Sequence, residues 1–279
     1  MQEDRSPAPS PVVVGFDGSP DARRAAAWAA ALARALGGRA LHLVHALALP
    51  AIPHHGYDHL SVGELLGRHE REMRERLEAE RDLLAAEGLP VEIHLRRWLP
   101  VETLIEHAQS QGAGLVVVGR HGSGASHLVL GSVSAAVARR APVPVVVVRG
   151  ETRPSPPRLV LAALDGSAPA RAAVAALAEW APTAEVLAVR VREAAADGAG
   201  IDEEDVVRDL AGAGLDRLRR RIRIVSGPVA ESLLALARGE GADLITAGRR
   251  GQSAWEDLLT GSVSDKLLQL APCPVLLAH

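Results

Sequence analysis

The chain holds a single cysteine, Cys273, which excludes an intramolecular disulfide and makes a reducing compartment the simpler assumption. Aromatic residues are scarce, 2% against a hydrophobic fraction of 48%, so any core must be assembled from Ala, Val and Leu. Such small side chains suit close packing of helices on a sheet. Lysine is almost missing too: Lys266 is the only one, and arginine carries the remaining positive charge. No apolar run approaches the roughly 20 residues that a membrane-spanning helix needs. The first eleven residues, with Ser6-Pro-Ala-Pro-Ser-Pro11, have no apolar signal-peptide core and read as a disordered tail. A soluble, cytoplasmic protein is expected. Its net charge of -3 provides no global attraction for nucleic acid or an acidic membrane.

What the chain does have, it has twice. Gly119-Arg-His-Gly122 leads to Gly131-Ser132-Val133-Ser134, and Gly248-Arg-Arg-Gly251 leads to Gly261-Ser262-Val263-Ser264. Upstream, Val14-Gly-Phe-Asp17-Gly-Ser19 recurs as Ala162-Ala-Leu-Asp165-Gly-Ser167. A repeat of this kind fixes the architecture before any single residue is read. The proline-rich stretch 151–157 is the expected linker between a domain at 12–150 and a domain at 158–279.

Within each half, short apolar runs alternate with helical patterns. Strands are expected at 12–16, 41–47, 91–95, 115–118 and 143–148, and helices at 20–36, 61–87, 100–111 and 132–140. The second half repeats the order, with strands at 159–164, 185–191, 222–225, 244–247 and 275–278 and helices at 168–180, 203–219, 229–238 and 262–270. Strict alternation of this type predicts an α/β fold: two tandem doubly wound domains, each a five-stranded, mainly parallel sheet with helices on both faces.

The glycine segments suggest phosphate. Gly119 and Gly122 leave a strand end where a side chain would obstruct a ligand, and Gly131-Ser132 opens a helix whose N–H groups and dipole favour an anion. The hydroxyls of Ser132 and Ser134 can add donors. In an open parallel sheet, ligands bind beyond the carboxyl ends of the strands where strand order reverses, which would bring Asp17 and Gly119–Gly122 to one crevice. An acid there can hold a ribose hydroxyl or, through water, a magnesium ion; Asp17 and Asp165 also suit helix capping.

The pattern Gly248-x2-Gly251-x9-Gly261-Ser262, with the strand-end Asp165-Gly-Ser167, resembles the nucleotide-binding branch of the universal stress protein family across both halves, residues 11–279. The resemblance implies an adenine nucleotide α-hydrolase-like fold with Asp165, Gly248, Gly251, Gly261, Ser262 and Val263 around the phosphates and ribose of ATP, and the backbone of Val191 at the adenine. The matching first-half set is Asp17, Gly119, Gly122, Gly131, Ser132 and Val133, with Ala46 for adenine. Eight residues separate Gly122 from Gly131, against nine between Gly251 and Gly261, so the second site is expected to hold the triphosphate more reliably.

Other clusters read as structural. His42, His45, His54, His55 and His59 are irregularly spaced and are expected to be solvated loop histidines rather than metal ligands. The basic run 217–223 is expected to be a charged helix end entering a strand. The four tryptophans read as packing residues, Cys273 as buried and inert, and the charged run 64–87 as a solvated helix face laced with ion pairs. Neither glycine loop contains lysine, and neither matches the loop of P-loop enzymes, so regulatory ATP binding with slow or absent hydrolysis is expected. A weak ATPase or phosphotransferase and a non-binding scaffold stay open at this point. The last strands of the halves are expected to pair antiparallel, making the chain a pseudo-dimer, with a homodimer of whole chains a further expectation.

Overall fold

Runs of Val, Leu and Ala between glycine and proline punctuation set the elements. A computed structural model describes residues 9–47, 59–122, 130–149, 152–192, 203–211, 219–249 and 263–279. The first half comprises β1 (Val12–Gly15), α1 (Pro20–Ala35), β2 (Leu41–Ala46), α2 (His59–Ala85), β3 (Val91–Arg96), α3 (Pro100–Ser110), β4 (Leu115–Gly119), α4 (Ser132–Arg140) and β5 (Val145–Val148). The second comprises β6 (Leu159–Leu164), α5 (Ala168–Trp180), β7 (Glu185–Arg192), α6 (Glu203–Ala211), β8 (Arg220–Ser226), α7 (Val229–Glu240), β9 (Leu244–Gly248), α8 (Val263–Leu270) and β10 (Val275–Ala278).

Helix ends follow local chemistry. Ser19 caps α1 by accepting from the Ala22 N–H at 3.1 Å, and Ser167 caps α5 by accepting from Ala170 N–H at 3.2 Å. α7 stops at Gly241, whose φ of 68° is a left-handed conformation that glycine adopts at no steric cost. Pro144 has no N–H to donate to a ladder, and β5 accordingly begins one residue after it, shorter than the apolar run suggests.

Among the described residues, the strands form one ten-stranded sheet in the order β3-β2-β1-β4-β5-β10-β9-β6-β7-β8. Every ladder inside a half is parallel. The halves meet at β5 and β10, antiparallel, with Val145, Val146 and Val147 opposite Leu277, Leu276 and Val275. Strand order reverses between β1 and β4 and again between β6 and β9, so each half carries its own switch point. Because β5 and β10 run in opposite directions, the two sets of carboxyl strand ends lie at opposite ends of the sheet.

Each face carries one core shared by both halves. One gathers α1, α2, α5 and α6 through Trp28, Leu32, Leu77, Leu177 and Leu210. The other gathers α3, α4, α7 and α8 through Leu104, Val137, Leu233 and Leu267. Further ties cross between the halves. The Arg149 guanidinium donates to the carbonyls of Leu267 and Leu268 at 3.3 and 3.0 Å, where the end of α8 offers free acceptors. Arg39 pairs with Glu179 at 2.6 Å and lies 4.5 Å from the ring centre of Trp180.

Several expectations change here. Trp28 and Trp180 pack as expected, but Trp98 is 60% exposed, and Trp255 lies outside the described residues. The basic run is strand from Arg220 onward, with Arg221 and Arg223 both paired to Glu240. On α2 the ion pairs Arg74–Glu70 and Arg76–Glu72 line a solvated face, while Glu80 is buried and its carboxyl is raised by that burial. His42 and His45 are not loop residues: both are buried on β2, because the strand carries them between helices on either face. His54 and His55 lie outside the described residues, and of His59 only its place at the start of α2 is described.

Candidate functional site

The first-half switch point collects its residues from β1, β4 and the start of α4. Asp17 follows β1, and its Oδ1 accepts from the Ser19 N–H at 3.0 Å, a two-residue turn that also sets up the cap of α1. Gly122 stands directly across the crevice. A Cβ placed there would come 2.8 Å from Asp17 Oδ2, so a side chain at 122 and the carboxylate compete for one space. The ends of β1 and β4 thus meet as the parallel topology requires.

Gly119 is small for a different reason. Its side-chain position is filled by the first turn of α1, with the Asp21 carbonyl carbon 2.6 Å and the Ala22 nitrogen 2.9 Å from a Cβ. Gly248 repeats this, 2.6 Å from the Ala170 nitrogen. In both halves this glycine lets a helix approach the strand end; it does not clear a path for a ligand. The Ser134 hydroxyl is likewise engaged, donating to the Gly119 carbonyl at 2.6 Å, which fastens α4 to β4.

Gly131 is the N-cap of α4 and provides no side-chain hydrogen bond to it. The first turn therefore presents Ser132, exposed, and Val133, half-buried, around backbone N–H groups that a helix cannot satisfy internally. Gly131 is fixed by its own N–H donating to the Arg120 carbonyl at 2.9 Å. Ala46 closes the other side at the end of β2, where the following Leu47 N–H donates to Arg96 O at 2.7 Å. The residues between, 123–129, lie outside the described residues.

One contact was not legible in the motif. His121, inside the glycine segment, donates its backbone N–H to Asp21 Oδ2 at 3.0 Å, and its Nδ1 lies 2.9 Å from the same oxygen. Asp21 also pairs with Arg24. Burial opposes ionisation of Asp21, but the hydrogen bonds from Arg24 and His121 outweigh it and hold the carboxyl below its ordinary value. The start of the loop is thereby clamped to α1.

Comparison with known proteins decides the family. The sequence profile described as the universal stress protein family matches residues 10–149 and again 157–279. The chain belongs to the universal stress protein family. A universal stress protein of Mycolicibacterium smegmatis is 30% identical over 290 residues, covering 96% of each chain. One from Thermus aquaticus is 38% identical over 135 residues, 44% of this chain and 98% of its own. In fold, the crystal structure of a universal stress protein from Archaeoglobus fulgidus matches with a TM-score of 0.73 at 20% identity, covering 96% of this chain and 97% of that one.

The second universal stress domain keeps the turn but changes its surroundings. Asp165 Oδ1 accepts from Ser167 N–H at 2.9 Å, as Asp17 does in the first. Val191 sits near the end of β7, in register with Val225, and Val263 begins α8. Gly251, Gly261 and Ser262 lie outside the described residues. Beside this crevice, Asp209 on α6 takes Arg190 at 3.3 Å and Arg171 at 3.4 Å. The position of Arg190 is held in the first domain by His45, whose Nδ1 lies 2.7 Å from the Phe16 carbonyl. Burial lowers the pKa of His45 below its ordinary value, and its bond to Phe16 works against that shift.

Among the described residues, no helix is long and apolar enough to cross a membrane. Cys273 is free and 7% exposed, and burial raises its thiol to about 12. It offers no nucleophile at neutral pH.

Proposed function

We propose that this universal stress protein is a stress-response regulator whose two strand-end crevices bind adenine nucleotide, ATP foremost, with turnover slow or absent. The observation that carries the reading is the meeting of Asp17 with the vacant side-chain position of Gly122, 2.8 Å apart at the switch point, beside the uncapped start of α4. An acid, an open backbone and a helix N-terminus together suit a ribose and a phosphate chain. Gly122, Gly131, Ser132 and Val133 would meet the phosphates, Asp17 the ribose, and the Ala46 backbone the adenine. Gly119 contributes its place in the scaffold.

In the second domain, Asp165, Gly248, Gly251, Gly261, Ser262, Val263 and Val191 would take the same parts. The strand-end carboxylates Asp17 and Asp165 also suit magnesium, which keeps several waters and binds mainly through substrate phosphates. Lys266, the only lysine of the chain, follows the second glycine segment on α8 and pairs with Glu231, and neither glycine segment contains a lysine. That arrangement supports binding over phosphoryl transfer. The antiparallel ladder of β5 and β10 supports an intramolecular pair of domains acting as one unit.

Purified chain incubated with ATP and magnesium, washed and then denatured, should release ATP. Release of ADP alone would favour the weak ATPase, and release of no nucleotide would favour a scaffold.

A further inference from the structure

At the opposite end of the first domain's sheet from the nucleotide crevice, three histidines meet. His42 and Glu92 are cross-strand partners on β2 and β3, and His94 is the partner of Val44, so His42 and His94 stand diagonally on one face of the sheet. His107, from the last turns of α3, descends on them. His42 Nδ1 lies 3.1 Å from His107 Nε2, and the ring centres of His94 and His107 are 4.2 Å apart. One nitrogen from each of the three lies within 4.8 Å of the others.

We infer that His42, His94 and His107 form a zinc site, with the Glu92 carboxylate at its solvent side. A tetrahedral ion with metal–nitrogen bonds of about 2.1 Å needs donors about 3.4 Å apart, so small rotations of these rings suffice. Three imidazoles with an oxygen donor suit zinc among the common divalent ions. Glu92 Oε2 lies 3.4 Å from His94 Nε2 and 3.9 Å from His42 Nε2, placed either to fill the fourth position or to orient a ring.

A further observation points the same way: His94 Nε2 is shielded from solvent and has no well-formed hydrogen bond, its Glu92 Oε2 neighbour standing at 3.4 Å.

The second domain shows what such a site would be for. Its matching edge strand, β8, is tied to α7 by Arg221 and Arg223, at 3.1 and 3.2 Å from Glu240. The first domain has histidines where the second has Leu187, Arg223 and Leu236, so zinc would clip β3, the outer strand, to α3 in place of an ion pair. The site belongs to the first domain alone and is independent of nucleotide.

The test is equilibrium dialysis of the full chain against Zn2+ without nucleotide, with Co2+ absorption and thermal unfolding alongside. The wild-type chain is expected to bind a single equivalent of Zn2+, to show the intense visible bands of four-coordinate Co2+, and to melt at higher temperature with Zn2+. His94→Gln, at the half-buried edge strand, should weaken Zn2+ by about 100-fold or more and abolish the bands. His54→Ala with His55→Ala should leave both unchanged. Absence of saturable binding or of the Co2+ bands in the wild type would overturn the site, whether or not the variant folds. So would binding that survives His94→Gln but is lost in the His54, His55 variant.

Discussion

At the scale of single residues, two glycines of one motif do different jobs, and their substitutions separate them. Gly119→Ala drives a Cβ into the backbone of α1 at 2.6 Å, where no side chain can yield. It should destabilise the fold by about 3 kcal/mol, read from urea unfolding; a neutral result would mean that α1 can withdraw. Gly122 faces a carboxylate instead, so bulk there should act on ligand binding. Asp21 offers a pH signature. Its carboxyl is below the ordinary value in the folded chain, so the unfolded chain binds protons more readily, and its contribution is present above about pH 4 and lost as pH falls through the lower, folded value. Asp21→Asn should therefore cost about 2 kcal/mol at neutral pH and progressively less in acid. An equal deficit at pH 7 and pH 3 would contradict the clamp between Asp21 and His121. The sequence motif could not reveal either point, because it shows that Gly119 is small but not that a helix occupies the space.

At the scale of elements, sequence periodicity placed α4, α5, β6 and β10 at their observed bounds, since proline, glycine and serine punctuate them sharply. It placed β5 too early, because a run of valines conceals the missing donor of Pro144. It could not assemble His42, His94 and His107, which stand far apart in the chain and meet only because β2 and β3 pair in parallel under α3. Residues 123–129 and 250–262, which hold the rest of the two glycine segments, lie outside the described residues. The element most exposed to test is the ladder between β5 and β10. Val146, wholly buried opposite Leu276, is central to it. Val146→Asp places an unpaired charge there and should cost at least about 3 kcal/mol. In calorimetry, the parent chain should unfold in a single transition, because both cores run across the halves. Two well-separated transitions in the parent would show that the halves are thermodynamically independent.

At the scale of the whole molecule, the antiparallel join turns the two crevices toward opposite ends of one sheet, so the two proposed nucleotide sites stand apart. The domains are also unequal: His45 in one stands where Arg190, paired with Asp209, stands in the other. The second, with its full-length glycine loop, is expected to hold the triphosphate more tightly. The measurement that bears most directly on the account is calorimetric titration of ATP with magnesium into the parent chain, into Gly122→Val, into Gly251→Val and into the chain carrying both. Two sites are expected in the parent, with loss of the weaker in Gly122→Val, loss of the tighter in Gly251→Val, and no binding in the double variant while far-UV circular dichroism stays unchanged. ATP binding by the folded double variant with the parent's affinity would contradict it.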